Sequence, residues 1–73
     1  MISIFEKLKE KYSNKQKEIE NCKEKILDIE EKQAYYNVSK KLEDNKKKLQ
    51  EQLQQLEKER ARISFEIEEL LAD

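Results

Sequence analysis

The chain has 73 residues, of which 45% are charged, with a formal net charge of −1, no histidine, one cysteine, and neither glycine nor proline. That length holds one small domain. The balanced charge supplies no global field for nucleic acid or a membrane surface, and the missing histidine removes the commonest general base and metal ligand. The Lys/Glu-rich mixture favours helix at exposed positions, and nothing in the chain is forced to break one. High charge with low hydrophobicity also marks unfolded chains. A sustained apolar period separates the two cases, and the chain has one.

The first element opens at Ser3-Ile4-Phe5-Glu6, a capping box with Ser at the cap and Glu three residues on. From there Phe5, Leu8, Tyr12, Lys15, Ile19, Cys22, Ile26, Ile29, Gln33 and Tyr36 alternate three- and four-residue spacings. With Phe5 at position a, they are the a and d seam of a coiled coil. This predicts a helix over about residues 4–36. Leu27 and Ala34 fall off that stripe, at b.

A second run follows. Leu42, Leu49, Leu56, Ile63 and Leu70 recur every seven residues and read as d, with Lys46, Leu53, Arg60 and Ile67 at a. This predicts a second helix over about residues 40–71. The two runs do not share a phase: from Tyr36 to Ser39 is three residues, where a continuous heptad needs four. Either one long helix runs through a stammer, in a parallel coiled-coil dimer, or the chain turns.

The residues at the step favour a turn at about 37–39. Asn37 suits a left-handed backbone and a helix end. Val38 suits an extended one, and Ser39 is a good N-cap. The expected fold is therefore all-α: one helical domain over 1–73, an antiparallel two-helix coiled-coil hairpin. Folding there opposes Phe5 to Leu70, Leu8 to Ile67, Tyr12 to Ile63, Ile19 to Leu56, Cys22 to Leu53 and Ile26 to Leu49. It also opposes Lys15 to Arg60, and brings Glu18 towards Glu59 and Glu30 towards Glu43, which should repel. Exposed pairs of this kind are worth under about 1 kcal/mol each and do not outweigh the phase step.

A single seam leaves little interior, and chains of this size rarely stabilise themselves with one core. Two hairpins associating as a homodimer, a four-helix bundle, would supply more, and a bundle could neutralise Lys15 and Arg60. Ile2, Ile4, Phe65 and Leu71 are apolar, lie off the stripe or at its end, and crowd the end where the termini meet. They are the candidate partner surface.

Chemistry points away from catalysis. Cys22 has no base partner and fits a packed seam residue better than a nucleophile. The paired carboxylates lack the Glu-x-x-His spacing of a bundle metal site, and a phosphate-cradling loop cannot form without glycine. No enzyme activity, cofactor or metal is expected. The one cysteine suits a reducing, cytoplasmic setting, and no apolar run is long enough to span a bilayer. The abundance of Lys, Asn, Ile and Glu fits an AT-rich genome, such as that of a low-GC bacterium or its phage.

What is left is a protein–protein interaction module: a small adaptor, chaperone-like hairpin, scaffold or inhibitor. The competing reading is a nucleic-acid-binding regulator using Lys40, Lys41, Lys46, Lys47 and Lys48 near Tyr35 and Tyr36. Glu43 and Asp44 interrupt that cluster, and arginine is absent from it.

Overall fold

The computed structural model describes residues 3–35 and 39–72. Two α-helices, α1 (Ile4–Tyr35) and α2 (Lys40–Leu71), pack against each other. Ser3 caps α1: its hydroxyl oxygen accepts a hydrogen bond from the Glu6 N–H at 3.1 Å, and its carbonyl accepts from Lys7 N–H. Ser39 does the same for α2. Its backbone is extended, its side chain accepts from Leu42 N–H at 3.2 Å, and its carbonyl accepts from Glu43 N–H. Each cap satisfies donors that a helix start otherwise leaves unpaired. The expected turn residues Asn37 and Val38 lie outside the described residues, as does Tyr36 at the end of the first seam. α2 ends when Ala72 turns extended while its N–H still reaches the Glu68 carbonyl at 3.0 Å.

The helices are antiparallel, and the chain is a hairpin, not a rod. Lys15 bonds to Glu59 and Arg60 to Gln16, pairs separated by 44 residues. In a continuous helix those partners would stand about 66 Å apart at 1.5 Å per residue. Further along, Cys22 reaches the Leu49 carbonyl, Lys46 meets Glu30, and Gln33 meets Glu43. All five contacts belong to the register that opposes Ile19 to Leu56 and Ile26 to Leu49.

The core is narrow. Ile19, Cys22, Ile26 and Leu56 form it, with Leu49 and Leu53 packed alongside, and among the described residues only Ile19 is fully buried. Leu8 and Ile29 are buried further out, and Phe5, Leu42, Ile63 and Ile67 are half-buried. Two expected seam residues are not covered: Tyr12 is 36% exposed and Leu70 50%. Leu70 sits in the last turn, where the seam has no further layer to close over it. Tyr12 is too large for a two-helix seam to cover, and its hydroxyl is well placed in water.

Burial is also uneven between the helices: α1 has five buried residues and α2 has one, Leu56. The molecule measures 55 × 18 × 14 Å, with a radius of gyration of 16.6 Å. A compact chain of this length would have about 11 Å.

Candidate interaction surfaces

Antiparallel pairing gives the hairpin two flanks, and the polar residues of the seam sort onto them. On one flank Lys15, at d, spans Glu18 on its own helix and Glu59 on the other. Glu18 and Glu59, expected to repel, are thereby held by one ammonium group. The hydrogen bond from Lys15 lowers the Glu59 pKa, with a smaller contribution from the Gln55 amide; the bond to Glu59 likewise raises Lys15. On the other flank Arg60 donates to the Gln16 side-chain oxygen at 2.7 Å, Lys46 pairs with Glu30 at 3.6 Å, and Gln33 donates to Glu43 at 2.8 Å. The expected Glu30–Glu43 repulsion is relieved because each carboxylate takes a different partner.

Lys15 is therefore neutralised within its own hairpin, while Arg60 is hydrogen-bonded to the uncharged Gln16 amide. Among the described residues, no buried side-chain nitrogen or oxygen lacks a hydrogen-bond partner.

Cys22 lies in the core, and its Sγ–H donates to the Leu49 carbonyl at 3.2 Å. It is packed away from solvent, in the cluster formed with Ile19, Ile26 and Leu56. Among the described residues, no group of three or more His, Cys, Asp or Glu could hold a metal ion. None of their helices is long and apolar enough to cross a membrane.

Ile4, Phe65 and Leu71 are all exposed, while Ile2 lies outside the described residues. Ile4 is at g, Leu71 at e and Phe65 at f. They occupy three different heptad positions at one end of the hairpin. At that end Lys9 lies over the Phe5 ring, 5.4 Å from its centroid, a cation–π contact at a partly open site.

At the turn end, Lys40, Lys41, Lys47 and Lys48 are exposed on the outer side of α2. Asp44 is three or four residues from each of them and sits at their centre. Lys46 is turned into the seam towards Glu30. The five-lysine cluster is thus four lysines around a carboxylate.

A feature the heptad pattern did not single out as a site lies between these ends. Lys23, Ile26, Leu27 and Leu53 line a groove of about 230 Å³ with no polar surface in it. Leu27 is 57% exposed and stands at its rim. The signal in the sequence was Leu27 at b directly after Ile26 at a, which widens the apolar stripe towards the flank carrying the e positions.

Compared with protein-family models, curated proteins and solved structures, the chain finds no match.

Proposed function

We propose that this chain is a non-enzymatic protein–protein interaction module, an adaptor, chaperone-like, scaffold or inhibitor protein, that acts through the outer surfaces of its coiled-coil hairpin. One observation carries the reading: the accessible surface. The hairpin exposes 6246 Å². A compact monomer of 8.9 kDa would expose about 4,800 Å². The excess of about 1,400 Å² is of the size that a stable interface removes from one or two partners. It includes the seam residues of α2 other than Leu56, which are only partly buried or, for Leu70, exposed, and exposed Leu27, Phe65 and Leu71. The partner set includes a second copy of the chain. Cys22, a thiol with no disulfide partner in the chain, suits a reducing compartment such as the cytoplasm.

The lysines at 40–48 offer the second reading, a nucleic-acid-binding regulator. The mixed charge around Asp44 weighs against it, since affinity for the phosphate backbone depends on the number of uncompensated cations.

One experiment separates the two. The purified chain is tested for retardation of duplex and single-stranded DNA and RNA at about 150 mM salt, where a Debye length is about 8 Å. Its self-association and its retention of protein partners are measured in the same buffer. Protein association without retardation is the expected result. Retardation that disappears when Lys40, Lys41, Lys47 and Lys48 are changed to Gln would overturn the interaction-module reading.

A further inference from the structure

The geometry points to a specific second copy: two hairpins stacked face to face across the flank that carries Leu27, related by a two-fold axis passing between their Leu27 side chains. The turns point in opposite directions, so that α1 lies on α1 and α2 on α2. The inference rests on the interaction-module reading and deepens it by naming the surface, the partner and the register.

Three observations support this flank. The first is the groove. Its lining by Lys23, Ile26, Leu27 and Leu53 is free of polar surface, and Leu27 at its rim is over half exposed. A two-fold axis at Leu27 sets each Leu27 against the other and over the partner's groove. The opposite flank has no groove free of polar surface: there Ile63 lies among Lys11, Lys15, Glu18, Glu59 and Glu66, and Ile29 and Leu49 among Asn21, Glu24, Lys25, Asp28 and Lys48.

The second is charge. With the axis at Leu27, Lys23 of each copy stands opposite Glu30 of the other, and Glu57 stands opposite Lys40. Uncharged residues meet the rest: Ala34 meets Glu20, Gln54 meets Glu43, and Gln50 meets Lys47. No like charges oppose one another. Neighbouring registers do worse. Sliding by half a heptad per hairpin towards the termini puts Lys23 on Lys23, and sliding the other way puts Glu30 on Glu30. Full overlap about the midpoint of the rod puts Glu20 on Glu20 and Glu43 on Glu68. Stacking with the turns at the same end sets Glu6 against Glu68. Among the described residues, Lys23, Lys40 and Glu57 make no ion pair within their own hairpin, so they are available across the interface. Opposed like charges discriminate against wrong registers more strongly than the matched pairs add affinity.

The third is area. The overlap runs from about Glu57 to Lys40 along each rod, about 27 Å at 1.5 Å per residue, across a width of 18 Å. It covers about 500 Å² per copy and about 1,000 Å² in total, the lower bound for a specific interface. The dimer is therefore weak, dependent on concentration and salt, and it leaves the terminal half of each rod uncovered.

The test is sedimentation velocity across a concentration series at about 20 mM and about 500 mM salt, where screening shortens from about 20 Å to a few Å. Wild type should dimerise, and more weakly at high salt. Leu27→Asp should raise the dimer dissociation constant by at least about tenfold, with unchanged helical circular dichroism because Leu27 is not a core residue. Glu57→Lys should weaken the dimer, and Lys40→Glu combined with Glu57→Lys should restore it. In a Cys22→Ala background, Leu27→Cys should cross-link to itself under mild oxidation, and Glu20→Cys should not.

A chain that stays monomeric at every concentration overturns this inference while leaving the interaction-module reading intact. So does a dimer that ignores Leu27→Asp, or that cross-links through residue 20 in preference to residue 27. Failure of the reading itself would show separately, as nucleic-acid retardation in the experiment above.

Discussion

Ile19 is the one fully buried large side chain among the described residues, and it sits in the cluster formed with Cys22, Ile26 and Leu56. Ile19→Ala removes three carbons, worth about 2.4 kcal/mol at about 0.8 kcal/mol per buried methylene. It also leaves a space that two rigid helices cannot fully close, which brings the expected cost to about 3 kcal/mol. A chain of 73 residues has roughly 4–11 kcal/mol in total, so this one change removes a large share. The melting temperature should fall by roughly 12–24 °C. The assay is thermal and urea unfolding followed by circular dichroism, at a concentration too low for self-association. Leu27→Ala is the control: Leu27 is 57% exposed, and its loss should stay within about 0.5 kcal/mol. If Ile19→Ala costs under about 1 kcal/mol, or no more than Leu27→Ala, the seam is not packed with Ile19 opposite Leu56.

The remaining predictions concern a cap and a charge. Ser39→Ala removes the oxygen that accepts from Leu42 N–H and should cost about 1 kcal/mol, while Ser39→Asp should restore most of it; equal melting temperatures for all three would show that the α2 start is held by something else. Glu59 has its pKa lowered by the Lys15 hydrogen bond, so its contribution to stability is present above the ordinary glutamate pKa and is lost as pH falls through the lowered value. Lys15 has its pKa raised by the same bond, so its contribution is present below the ordinary lysine pKa and is lost as pH rises through the raised value. Melting curves collected from acid to neutral pH should therefore drop less steeply on acidification for Glu59→Gln than for wild type. Parallel curves would rule out the pairing.

The features legible in the sequence were those set by local chemistry. Ser3 and Ser39 cap the helices because a short hydroxyl side chain before a helical run has an unpaired N–H to bond. The phase step after Tyr36 was readable because the heptad count is strict; it left a stammer or a turn, and Asn37, Val38 and Ser39 favoured the turn that opposes Ile19 to Leu56. Charges were legible only in part. Counting opposed positions predicted Glu18–Glu59 and Glu30–Glu43 repulsion, but a lysine stem is long enough to leave its own layer. Lys15 reaches both Glu18 and Glu59, and Lys46 reaches Glu30. Exposure at the seam's end was not legible either, because Leu70 has the same heptad position as buried Leu56 and differs only in lacking a layer beyond it. The Leu27 groove belongs to neither helix alone. It arises where the flank of Ile26 meets Leu53, and no single-helix pattern contains that meeting.

The placement of the polar seam residues then explains how so thin a core specifies one register. Lys15 and Arg60 occupy the same layer, so the native pairing confines both long cations to a single interruption of the apolar seam. There Glu18, Glu59 and Gln16 satisfy them. Slipping α2 by one heptad in one direction sets Lys15 against Leu53 and Arg60 against Leu8. Slipping it in the other sets Lys15 against Ile67 and Arg60 against Cys22. Either slip breaks two apolar layers in place of one, strips Arg60 of Gln16 and takes Glu59 from Lys15, which keeps only Glu18 of its own helix. A polar layer of this kind lowers stability relative to an all-apolar seam but raises the gap to the slipped states. With one fully buried side chain among the described residues, the hairpin has little hydrophobic discrimination between registers, and the Lys15–Arg60 layer supplies what the core does not.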